Sequence, residues 1–109
     1  MQEESIFLDA IGDSPTMRIL QYLIEGRELD YSLTDTATKS GVSWGTLHKI
    51  FPKLLQYKLV IPTREIGRAK LFKINLKNLV IKKLVEIYDS LLIQETEKHL
   101  TNKKIELKI

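Results

Sequence analysis

The chain has 109 residues, 43% apolar and 28% charged, which suits one folded core, is too short for two and argues against general disorder. It has no cysteine, which excludes a disulfide framework and thiol-based metal sites, and no apolar run of the roughly 18 residues a membrane span needs; a cytoplasmic chain that makes no membrane contact is expected. The net charge of +3 hides a division: residues 1–36 hold eight acids against two bases, residues 37–83 hold eleven bases against the single acid Glu65, and the remainder is close to balanced.

Ile6, Phe7, Leu8 and Ile11 form a short apolar lead-in of helical character. Ser14-Pro15 then starts a helix, with the serine able to cap free N–H groups and proline at the first position losing nothing. Met17, Leu20, Leu23 and Ile24 make its apolar face, and Gly26 ends it. Leu29 to Ser32 reads as a short strand, and Ser32 with Asp35 three residues on predicts a second helix from about Leu33 to Ser40. Gly41 supplies the turn, Ser43 caps a third helix, and Leu47, Ile50, Phe51, Leu54 and Leu55 form its inner stripe. Pro52 interrupts that stripe and predicts one bent helix rather than two.

Leu59–Glu65 and Lys70–Leu76 alternate apolar and polar residues around Ile66-Gly67-Arg68-Ala69, the pattern of a β-hairpin. Pro62 confines the first strand to an edge or a bulge. Asn78 caps a long last helix bearing two neighbouring stripes, Val80-Leu84-Ile87-Leu91 and Ile81-Val85-Tyr88-Leu92. Two stripes exceed what one small core needs, so Val80, Leu84, Ile87, Tyr88, Leu91 and Leu92 are candidate dimerisation residues. The last ten residues have little core signal and are expected to fray or to pack only in an oligomer.

Helix, helix, turn, helix, hairpin, helix is the order of a winged helix-turn-helix, a mainly α fold with a small β-hairpin (α+β) and a long C-terminal helix. Residues 1–76 are read as a DNA-binding domain and 77–109 as a dimerisation helix and tail within one structural domain. The outer face of the third helix holds Ser43, Trp44, Gly45, Thr46, His48 and Lys49, with Lys53 a turn further on, and would enter a major groove roughly 12 Å wide. Arg64, Arg68 and Lys70 on the hairpin would lie along the flanking backbone or minor groove. Trp44 either touches a thymine methyl or a sugar, or folds back on the domain. His48 suits a base or phosphate contact better than metal ligation, and neither a metal nor another cofactor is expected. No nucleophile paired with a base and no phosphate-binding glycine loop appears, so the chain does not read as an enzyme.

The run from Ala10 to Leu20 (AIGDSPTMRIL), the helix-turn-helix and the hairpin IGRAKLFKI together resemble the winged-helix transcriptional regulators of the ArsR and MarR type, particularly small archaeal members. The resemblance covers about Phe7 to Leu92. It implies a homodimer on double-stranded DNA, with Trp44 to Lys49 reading the major groove, Arg64, Arg68 and Lys70 clamping the flank, and Val80 to Leu92 joining the two copies. ArsR-type metal sensors use cysteines or clusters of histidine and acid. Here there are no cysteines and only two histidines, His48 and His99, so metal sensing is not supported. A small-molecule effector fits between the DNA-binding core and the last helix, although no residue identifies one. The competing reading is a winged-helix protein-interaction module in a transcription or DNA-partition assembly.

Overall fold

The computed structural model describes residues 5–108, with side chains described up to Lys98. In chain order it contains α1 (Ile6–Ile11), α2 (Pro15–Glu25), β1 (Tyr31–Ser32), α3 (Leu33–Ser40), α4 (Trp44–Gln56), β2 (Val60–Ile66), β3 (Ala69–Ile74) and α5 (Leu79–Lys108). This is the expected winged-helix α+β architecture, with one addition. The hairpin gains β1 as a third strand, giving an antiparallel sheet of order β1-β3-β2.

Local chemistry sets most of the helix boundaries. Ser14, Ser32 and Ser43 each accept from the backbone N–H three residues on, at 3.1, 3.1 and 3.2 Å, which satisfies a donor the first helical turn leaves free. Asn78 does the same for Ile81 at 3.2 Å. Gly41 closes α3 in the left-handed region at φ 71°, and the N–H of Val42 reaches back to Ala37 O at 3.0 Å. Inside α3 the buried hydroxyls turn onto the helix itself, Thr36 donating to Ser32 O and Ser40 to Thr36 O.

The core gathers Ile19, Leu20, Leu23 and Ile24 from α2, Leu47, Phe51 and Leu54 from α4, Phe72 and Ile74 from β3, and Phe7, Val60 and Ile81. Phe51 meets Phe72 edge to face at 4.9 Å and so seats α4 on the sheet. α4 runs as one helix through Pro52, whose ring lies on the exposed side. Pro62 sits on the edge strand β2, beside the one irregularity of the β2–β3 register.

α5 continues to Lys108, into the stretch expected to fray. Tyr57, the C-cap of α4, is 66% exposed.

Candidate nucleic-acid interface

The N-terminal turn of α4 is built by its cap. The Ser43 hydroxyl accepts from Thr46 N and donates to Thr46 Oγ1 at 2.8 Å, so these two side chains organise the helix start. Trp44 does not fold back on the domain. It is half exposed, and its ring meets that of His48, one turn along, edge to face at 4.3 Å. The two rings form a small aromatic ledge on the outer face. A Cβ on Gly45 would have no heavy atom within 4 Å, so no internal contact demands glycine there. Glycine in a helix costs about 1 kcal/mol relative to alanine, and the fold itself gains nothing in return at this position. Lys49 and Lys53 are exposed on the same helix, and neither is in an ion pair among the described residues.

The wing is the β2–β3 hairpin. Ile66 pairs with Ala69 around a two-residue turn, Gly67-Arg68, with Gly67 at φ 62° as the tight reversal requires. Arg68 and Lys70 at the tip are exposed and without a carboxylate partner among the described residues. Arg64 differs in having a partner within the chain. It forks onto the Asp30 carboxylate through Nε at 3.0 Å and Nη2 at 3.2 Å, so its guanidinium is paired although the side chain is 63% exposed.

The α5 candidates divide. Tyr88 is buried within its own chain at 9% exposure. Its ring packs on Phe7 at 5.6 Å and its hydroxyl donates to Glu25 Oε1 at 3.2 Å. Burial first, and then the neighbouring carboxylate of Glu25, push its phenol up to about 12. Arg27 lies 6.0 Å from the Tyr88 ring centroid and pairs with Asp89 at 2.8 Å, holding that carboxyl below the usual range. Leu84 and Leu91 are partly buried against the core, while Val80, Ile87 and Leu92 remain exposed.

Between α1, α2, α3 and α5 lies a cavity of about 450 Å³ lined by Phe7, Gln21, Tyr22, Lys39, Tyr88 and Leu92 among others. Among the described residues no three His, Cys, Asp or Glu side chains gather where they could hold a metal ion. None of the helices searched among those residues is long and apolar enough to cross a membrane.

No protein-family model matches the chain, and no curated protein matches it in sequence. Solved structures do resemble it. NadR, in a complex with 4-hydroxyphenylacetate, is similar with a TM-score of 0.63 at 18% identity, over 94% of this chain and 72% of that one. A point mutant of Staphylococcus aureus MepR bound to an oligodeoxyribonucleotide is similar with a TM-score of 0.62 at 19% identity, over 94% and 78%. The antimony-specific transcriptional repressor AntR gives 0.58 at 17% identity, over 85% and 78%. At such identities the likeness is one of fold, the winged helix.

Proposed function

We propose that this chain is a sequence-specific double-stranded DNA-binding protein that acts as a homodimeric transcriptional regulator, with repression the simplest mode. It would be of the ArsR/MarR-like kind found in small archaeal proteins. The observation that carries the reading is the outer face of α4, where a Cβ on Gly45 would meet open space and Lys49 and Lys53 are in no ion pair among the described residues. A helix destabilised at an exposed position, with a bare backbone flanked by cations, suits close approach to a phosphate-lined groove. That a MepR mutant similar in fold is seen bound to an oligodeoxyribonucleotide supports the same reading.

In this account residues 1–76 form the DNA-binding unit. Trp44, Gly45, Thr46, His48 and Lys49 face the major groove, Ser43 and Thr46 set the helix start, and Lys53, Arg68 and Lys70 neutralise phosphates. Residues 77–109 join two copies through Val80, Leu84, Ile87 and Leu91, whose spacing of four, three and four residues is that of a coiled-coil seam, with Leu92 beside it. The cavity at the α2–α5 junction is where an effector would sit. Selection from random duplexes tests the reading: an enriched palindrome establishes both specificity and two-fold symmetry. Enrichment of nothing, together with a protein partner covering the basic face, supports the interaction-module reading instead.

A further inference from the structure

The outer strand of the wing is tied back to the start of the helix-turn-helix by one carboxylate. Asp30 immediately precedes β1, and its side chain is 15% exposed. It accepts from the Thr63 hydroxyl at 2.5 Å and from two nitrogens of Arg64 at 3.0 and 3.2 Å. Both donor residues come from the place where the β2–β3 ladder is irregular. Pro62 faces Phe72 and Arg64 faces Leu71, so Thr63 is the extra residue of a bulge. β1 and β2 are not neighbours, because β3 runs between them. The contact therefore spans the middle strand and joins the two edges of the sheet.

The position of this clasp matters for the wing. β1 pairs only with Leu71 and Phe72, so residues 65–70 continue as a two-stranded arm. A two-stranded ribbon has little stability of its own, and a bulge adds bend and twist. Whatever fixes the bulge therefore aims the arm.

We propose that Asp30 is the positioning residue of the wing, holding the bulge through Thr63 and Arg64, and that Arg64 belongs to this clasp rather than to the phosphate-contacting set. The inference rests on the duplex-binding reading of the wing. Exposed ion pairs usually contribute little, and the pair between Arg18 and Asp13, five residues apart, is of that local kind. The Asp30 contact differs in its number of donors and in its reach. Both guanidinium forks are bidentate, but at Asp30 a third donor, the Thr63 hydroxyl, joins the fork, and the partners are 33 and 34 residues away. The Arg64 guanidinium, with the Thr63 hydroxyl next, holds the Asp30 carboxyl below the usual carboxylate range, so the clasp is fully charged at neutral pH.

The test compares the full chain with its Asp30→Asn, Arg64→Ala, Thr63→Val and Arg68→Ala variants, with circular dichroism checking that each folds. Fluorescence anisotropy on a labelled duplex is followed between about 50 and 200 mM salt, and nitrogen-15 relaxation of Gly67 and Arg68 is measured on the free proteins. Arg68→Ala should flatten the salt slope by about 0.9. Asp30→Asn and Arg64→Ala should each weaken binding by about two- to fivefold at unchanged slope, with the double variant no worse than either single one. Both should raise the mobility of Gly67 and Arg68, and Thr63→Val should do so less. A slope flattened by Arg64→Ala as much as by Arg68→Ala, tighter binding by Asp30→Asn, or unchanged wing mobility would each overturn the proposal. If the wild-type chain shows no salt-dependent duplex affinity, the duplex reading fails by itself, and the mobility of the free wing still decides the clasp.

Discussion

At the junction of α2 and α5, basic and acidic groups close on each other. Arg27 forks onto Asp89 at 2.8 and 3.0 Å, also donates to Ile24 O, and borders the Tyr88 ring, whose hydroxyl binds Glu25. On α4 and the wing tip the cations Lys49, Lys53, Arg68 and Lys70 have no carboxylate partner among the described residues. The first region uses charge to hold the last helix against the domain. The second leaves charge available to something outside the chain. Arg64 stands in the second region but, like Arg27 in the first, has a carboxylate partner, Asp30.

Substitutions can break this comparison. The largest effect should come from Tyr88→Ala, which removes a buried ring at the seam and should cost about 3 kcal/mol of folding stability by denaturant titration. A cost below about 0.5 kcal/mol, the usual range of surface substitutions, would mean that the α2–α5 seam does not support the fold. The combined Lys53→Ala, Arg68→Ala and Lys70→Ala variant should leave the denaturation midpoint in place while flattening the salt dependence of duplex binding by about 2.7 in slope for each bound protomer. Loss of stability in that variant would show that these cations have structural partners.

Gly45→Ala should separate fold from function at a single residue. It should stabilise the protein by about 1 kcal/mol, since the added methyl meets open space, and should weaken duplex binding. Alkaline titration gives the smallest effect. Burial raises the phenols of Tyr22 and Tyr88 to about 12. Each is favoured in its neutral form by the fold, so its contribution is complete below the ordinary tyrosine value of about 10 and is lost as pH rises through the folded value. Thermal stability should therefore begin to fall above about pH 10, and absorbance should show two of the four tyrosines ionising late.

Much of this architecture was legible residue by residue, because its signals are local. Serine caps three residues before their N–H donors, Gly41 at the turn, Gly67 in the hairpin and the Leu47-Phe51-Leu54 stripe all act within a few positions of themselves. The i,i+4 spacing of Trp44 and His48 also foretells their ring contact, although not that it faces outward. What stayed hidden depends on register and on distant partners. Asp30 gave no sign of meeting residues 33 and 34 places away, because that requires the Thr63 bulge and a strand between them. The Arg27–Asp89 contact spans 62 residues, and without it Tyr88 reads as one more member of an exposed stripe. Periodicity identified two apolar faces on α5 but not which of them α1 and α2 would cover.

The comparison rests finally on whether the unpartnered cations meet phosphate. Anisotropy of the wild-type chain on a labelled duplex, across salt from about 50 to 200 mM, measures this directly. The account predicts a linear fall of log K against log salt, with a slope of about 0.9 for each phosphate neutralised. Affinity indifferent to salt over that range would contradict it.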